Sequence, residues 1–408
     1  MKNISRTVWI LSLVSLFTDV ASEMLYPIMP IYLQSIGFSV VLIGLLEGFA
    51  EATTGLSKGY FGQLSDRSFK RVPFIQIGYA FSAISKPMMA LFVFPVWIFF
   101  ARTIDRFGKG IRTGARDAML SDESTPATKG RIFGFHRSLD TLGAAIGPSL
   151  ALLYLYWYPE QYKTLFLIAF IPGLLALGTS LLLKDKKRMT AKPVSKQSSF
   201  FSFLSYWKRS PLGYKKVAAG LLFFTLFNSS DVFLLLKVKE SVQDDTVVIG
   251  VYIFYNLIYA LFAYPLGIIA DRIGLKTVLL SGLVLFTMMY LGMSLTKDLY
   301  LFFGLFFLYG IYAAATEGVA KAWISNIVDS RDTATAIGTF AGFQSICMLI
   351  ASSLTGVIWY RFGSAAALLV TASAAMLVVL YFLLIGKIRT HENTPLEEIT
   401  SPVLSKQN

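Results

Sequence analysis

Charge is what this chain lacks. Only 15% of its 408 residues are Asp, Glu, Lys or Arg, against roughly 25% in an ordinary soluble protein. A soluble chain of this length would form two or three domains, each coated by a polar shell, and there is too little charge here to coat them. Cysteine is nearly absent as well. Cys347 stands alone, so no internal disulfide forms. The two histidines lie far apart and no cysteines stand at ligand spacing, which argues against a zinc site. No Gly-x-x-x-x-Gly-Lys-Ser/Thr loop is present, so nucleotide hydrolysis is not indicated. No enzyme motif, metal or cofactor is expected, and any work done draws on an ion gradient or a substrate gradient.

What fills the chain is apolar. Hydrophobic residues make up 55% and the mean hydropathy is +0.61, which places the fold in lipid. A membrane helix needs about 20 mostly apolar residues. Twelve such stretches are expected near 8–33, 40–63, 73–93, 95–118, 132–156, 164–183, 215–237, 247–270, 277–295, 299–323, 335–359 and 364–386. The first is not a cleaved leader, because its apolar stretch is long and Asp19 and Glu23 interrupt it. The net charge of +13 reads as basic loops facing anionic lipid rather than as a nucleic-acid surface. Lys2, Arg6, Lys70, Arg71, Lys129, Arg131, Arg272, Lys276, Lys387 and Arg389 fall in alternate loops, with a Lys-rich run from Lys184 to Lys196. The positive-inside rule then puts both termini in the cytoplasm of a cell (inner) membrane protein. The expected division is a bundle over 1–183, a linker over 184–214, a second bundle over 215–386 and a tail over 387–408. The linker carries a candidate amphipathic surface helix around Phe200–Trp207.

The chain repeats itself at half its length. Gly62-Gln-Leu-Ser-Asp66-Arg67 returns as Gly267-Ile-Ile-Ala-Asp271-Arg272 at an offset of 205, Ile43-Gly44 as Ile249-Gly250 at 206, and Gly134 as Gly338 at 204. The expected fold is therefore all-α and integral to the membrane, twelve helices in two homologous six-helix bundles. The run from Gly62 to Arg71 resembles the loop between helices two and three of the major facilitator superfamily, and Gly267 to Lys276 resembles its echo. Gly143-Ala-Ala-Ile-Gly147-Pro148 resembles part of the fifth-helix pattern of proton-coupled drug antiporters, with Ala151 and Leu152 where that pattern has further glycines. The resemblance implies a secondary transporter working by alternating access, with the substrate held between the halves and Gly62, Asp66, Arg67, Asp271 and Arg272 acting in gating.

Ionisable residues inside spans are functional candidates, because burying them in lipid costs several kcal/mol. Asp19 and Glu23 share one face of the first span, Glu47 and Glu51 one face of the second, and His136 and Asp140 one face of the fifth. With Asp231 and Glu317, these carboxylates are the candidate proton carriers. The fourth span carries Arg102, Arg106, Lys109, Arg112 and Arg116 every three or four residues. Arg102 and Arg106 are candidates for holding an anion. Arg112 and Arg116 are expected to pair with Asp66 and lock the cytoplasmic gate. Lys86 beside Pro87 reads as a snorkelling lysine. Tyr26, Asn228, Tyr255, Asn256 and Gln344 complete the cavity candidates. The leading expectation is a monomeric, proton-coupled exporter of a small organic compound. Import of an organic anion, lipid movement between leaflets and a membrane sensor that no longer transports are its rivals.

Overall fold

A computed structural model describes residues 4–26, 28–29, 32–33, 36–38, 40–185 and 201–385. In lipid, every backbone polar group must be satisfied within its own segment, and the chain meets this with helices. In the first half α1 is Arg6–Glu23, α2 Val40–Ser68, α3 Val72–Leu91, α4 Pro95–Asp122, α5 Lys129–Trp157 and α6 Tyr162–Ser180. In the second half α7 comprises Leu212–Phe227 and Val232–Val242, followed by α8 Asp245–Ile273, α9 Leu275–Leu295 and α10 Leu299–Ile327. A last helical run, Thr333–Leu384, turns at Gly363, whose φ of 85° no L side chain adopts readily. The break divides it into α11 (333–362) and α12 (364–384). Helix starts follow local rules: Ser5 accepts from the Val8 amide, Asp298 from the Leu301 amide, and Pro73 and Pro95 occupy first turns.

Among the described residues, seven helical stretches are long and apolar enough to cross a membrane, and the broken run is one of them. The first four helices fall outside that set because they carry most of the intramembrane charge. Asp19 and Glu23 lie on α1, Glu51, Lys58 and Asp66 on α2, Lys86 on α3, and seven charged residues between Arg102 and Asp117 on α4.

The two halves meet along two related seams. Gly62 of α2 lies so close to α11 that a Cβ there would strike the Ala334 carbonyl, and one on Gly338 would strike the Lys58 carbonyl. Across the other seam, a Cβ on Gly134 of α5 would stand 2.5 Å from the Ala263 carbonyl of α8, and one on Gly130 2.6 Å from the Gly267 carbonyl. The repeated glycines thus serve one purpose twice, since only their absent side chains let the backbones approach this closely.

Phe200 lies outside the described residues, and from 201 to 209 the linker does not form an amphipathic surface helix. Ser202–Ser205 is a 3-10 turn and Tyr206–Arg209 a single α-helical turn. Phe203 is fully buried, its ring against Gly59 and Gly342 where α2 meets α11. Its carbonyl accepts from Thr339 Oγ1 at 3.3 Å, and Ser202 bonds Gln63. Phe203 thus covers the seam rather than a lipid surface, while Phe201 is exposed.

Candidate functional site

Asp66 closes the α2–α11 seam. One carboxylate oxygen accepts from the Thr335 amide at 2.6 Å and from Thr335 Oγ1 at 2.7 Å. The other accepts from Arg71 Nη1 at 2.5 Å. Thr335 opens α11, so the acid lies where the helix dipole favours it. Asp271 repeats the arrangement on the α8–α5 seam, accepting from the Gly130 amide at 2.7 Å and the Arg131 amide at 2.9 Å. The Arg112 and Arg116 expectation is corrected here. Arg71 takes the place beside Asp66. Arg112 instead donates to Ser82 at 2.6 Å and lies 4.6 Å from the Tyr79 ring centre. Arg116 is held by Asp117 at 3.0 Å and by Ser15 at 3.1 Å. A helix face cannot be assigned from charge spacing alone, and Arg71 lies nearer in the chain. Among the described residues, Arg67 and Arg272 make no side-chain hydrogen bond or ion pair with either seam.

Deeper in the first half, the charges neutralise one another. Lys86 does not snorkel: it is buried and bonds Asp105 at 2.7 Å and Ser22 at 3.2 Å. Arg102 lies 3.9 Å from the same Asp105, and Arg106 4.0 Å from Glu51. Glu47 has a side chain outside the described residues. Lys58 and Lys109 interact electrostatically with each other and with Glu51, yet among the described residues neither forms an ion pair.

A second network joins α1, α4, α5, α8 and α10. Asp19 and Asp140 bring their carboxyl groups within hydrogen-bonding reach, because Gly143 lets α5 press onto α1 with room for a Cβ only 3.0 Å from the Asp19 Cβ. Asp140 also accepts from Ser15 and from Arg137 at 2.6 Å, with Arg116 at 3.8 Å. Arg137 reaches across to the other half, bonding the Tyr259 hydroxyl at 2.5 Å and Glu317 at 3.2 Å. Lys321 of α10 pairs with Asp117 of α4 at 2.7 Å, a further tie between the halves. His136 is buried, with its Nδ1 3.5 Å from Ser12 Oγ. Sequence reasoning did not single out Arg137. Its position three residues before Asp140 on the same helical face was the available signal.

The second half is aromatic. Asp231, at the interruption of α7, accepts from Tyr255 at 2.7 Å and from Tyr309 at 2.5 Å. Asn228 donates to Tyr312 at 3.3 Å. Glu23 of α1 accepts from Tyr252 at 3.0 Å, whose ring stands 5.5 Å from that of Tyr255. Asn256 is spent on the Tyr252 carbonyl, 3.0 Å away. Tyr26 is exposed and interacts electrostatically with Tyr252 of this cluster; Gln344 is half-buried.

A model of the Major Facilitator Superfamily matches residues 11–254 and 232–407. The chain belongs to that superfamily. It is therefore a multi-pass membrane protein and a secondary transporter, not an enzyme. An uncharacterized MFS-type transporter of Methanocaldococcus jannaschii is 33% identical over 367 residues, covering 88% of this chain and 89% of the relative. An uncharacterized protein of Mycobacterium tuberculosis is 25% identical over 352 residues, covering 82% of each. Among solved structures, the human organic anion transporter MFSD10 superposes with a TM-score of 0.75 at 15% identity, over 92% of this chain and 99% of its own. The E. coli fucose:proton symporter FucP does so with 0.75 at 13% identity, over 93% and 98%. These two share the fold.

Proposed function

We propose that this superfamily member couples the export of a small organic compound to proton entry. The observation that carries this reading is the Asp19–Asp140 pair. Two carboxyl groups within hydrogen-bonding reach need a proton between them, because an ionised carboxylate only accepts. That proton site is wired to the opposite half through Arg137 and Glu317. If the halves rock about a central site, the Arg137–Glu317 contact breaks, and Arg137 is then free to bind Asp140 alone. Proton release from the pair and movement of the halves become one event. The outward direction rests on the resemblance of Gly143 to Pro148 to the antiporter pattern. The basic loops support a cell-membrane protein with both termini cytoplasmic, its bundles spanning 1–183 and 215–386.

Asp19→Asn and Asp140→Asn separate coupling from structure. Asp140→Asn leaves Arg116 and Arg137 short of a buried counter-charge, a loss of about 3–5 kcal/mol, and yield should fall. Among the described residues Asp19 makes no ion pair, so Asp19→Asn should express normally, lose pH-gradient-driven flux in proteoliposomes and retain substrate exchange. Unchanged proton dependence in a well-folded Asp19→Asn protein would refute the reading.

Import of an organic anion is the second reading. Lys58 and Lys109, two ammonium groups without an ion pair among the described residues, favour it. The solved human neighbour is itself described as an organic anion transporter.

A further inference from the structure

The first half of the bundle matches most of its buried cations to acids, whereas two acids that face the second half have no cation. Among the described residues Asp231 and Glu23 make no ion pair. Asp231 has a phenol on each oxygen, from Tyr309 at 2.5 Å and Tyr255 at 2.7 Å. Glu23 has one phenol, from Tyr252 at 3.0 Å. These phenols belong to a continuous aromatic wall. Tyr252 and Tyr255 stand 5.5 Å apart, Tyr255 and Tyr309 5.3 Å, and Tyr309 and Tyr312 5.4 Å. Tyr255, Tyr309 and Tyr312 are buried.

The backbone marks the same place. Helix α7 is interrupted between Phe227 and Val232 inside a stretch otherwise apolar enough to cross the membrane. Non-helical backbone at membrane depth is tolerated where it is buried in protein or lines a cavity, and broken helices are where transporters of several folds bind their substrates. Asn228, at the break, keeps its side-chain carbonyl oxygen without a hydrogen-bond partner. An acceptor left open beside a carboxylate, in a cluster of four tyrosine rings, suits a positive charge on an apolar body. It disfavours an anion, which would meet two carboxylates.

We propose that Asp231, with Tyr255, Tyr309 and the Asn228 carbonyl, holds the positively charged group of an organic cation, and that Glu23 of α1 faces the same compound from the other half. An organic cation lying between Glu23 and Asp231 touches both bundles, as a compound carried between them must. The assignment rests on the export reading for its direction only. The site itself needs no proton.

Matched ions of one shape and opposite charge test it. Tetraphenylphosphonium and tetraphenylborate are bound to the purified full chain in detergent. The phosphonium is expected to bind at least tenfold more tightly than the borate. Asp231→Asn should weaken it about 10- to 100-fold, the scale of one lost charge-assisted contact. Tyr309→Leu should weaken it more than Tyr309→Phe, because only the latter keeps the π-face. Normal elution and melting of each variant separate lost binding from lost folding. Equal or reversed preference for the two ions, or a well-folded Asp231→Asn protein that binds the phosphonium unchanged, overturns the site. Ethidium efflux from proteoliposomes under an imposed pH gradient reads the other claim. Phosphonium binding without proton-driven ethidium flux refutes coupling and leaves the cation site standing. Proton-driven flux of anions alone does the reverse.

Discussion

Asp66→Asn should open the seam between α2 and α11. In the closed seam the carboxylate takes three bonds, from Arg71 at 2.5 Å and from the Thr335 amide and hydroxyl at 2.6 and 2.7 Å. An Asn amide has one acceptor oxygen and no charge. At least one charge-assisted bond is lost, along with the favourable interaction with the start of α11. Bonds to a charged group contribute about 1.5–3 kcal/mol each, so the population with this seam open should rise roughly 10- to 150-fold. Folding should tolerate the change, because Arg71 keeps Asp122, 3.7 Å from its Nε. The readout is labelling of a cysteine at Ser325, in a protein whose Cys347 has been replaced, by a membrane-impermeant maleimide from the linker side. Ser325 of α10 is buried and its carbonyl accepts from Lys129 of α5, in the other half, at 2.6 Å, so its labelling reports separation of the halves. Thr335→Val removes one bond and keeps the charge, and should shift labelling less. Asp271→Asn acts on the separate α8–α5 contact, so the double variant should add the two effects. Unchanged labelling in Asp66→Asn, with the protein folded, would refute the view that this carboxylate holds the closed state.

Phe203→Ala should destabilise the protein by about 3–5 kcal/mol, the range for emptying a buried aromatic site, seen as a lower melting temperature together with faster Ser325 labelling. A lower melting temperature without faster labelling would make Phe203 a packing residue and not part of the closure. Lys86→Met should lower expression sharply, because it takes from the buried Asp105 its 2.7 Å ion pair and leaves Arg102 at 3.9 Å. Adding Asp105→Asn should restore it, and failure to do so would show that the pair is not the reason for the loss.

The architecture was legible because the cause of the repeat is local. The near-equal offsets relating Gly62 to Gly267 and Gly134 to Gly338 arise from one close backbone approach made twice. Each associated acid meets the start of a helix in the other half. The aromatic cluster was half legible: Tyr255 and Asn228 were singled out from the sequence and both join it, while Tyr309 looked like any other aromatic in an apolar helix until its hydroxyl was placed against Asp231. Partner choice was not legible. The charge stripe of α4 points in several directions around one helix. Asp105 faces Lys86 on α3, Arg116 faces α1 and α5, and Asp117 reaches Lys321 in the other half. Periodicity reports that such a stripe avoids lipid, and nothing in it says which neighbouring helix each charge meets. Phe203 illustrates the same limit, since an apolar segment suits a membrane surface and a groove between helices equally well.

The distribution of pairs bears on how such a transporter can move. Ion pairs within one half, such as Lys86 with Asp105, travel with their bundle and cost nothing when the halves rock. Pairs between halves must break, and here they are few and differ in burial. Lys321–Asp117 and Arg137–Glu317 join the halves through one buried and one partly exposed acid: the Asp117 side chain is 1% exposed, Glu317 42%. An exposed pair contributes about 0–1 kcal/mol, so Arg137 can leave Glu317 cheaply, whereas Asp117 cannot lose Lys321 without a replacement. Arg116, already 3.0 Å from Asp117, is that replacement. Asp117 therefore stays compensated in either arrangement, whereas the bonding of Asp140 changes with the halves through Arg137. That places an energetic consequence of rocking at Asp140, the residue we propose shares a proton with Asp19.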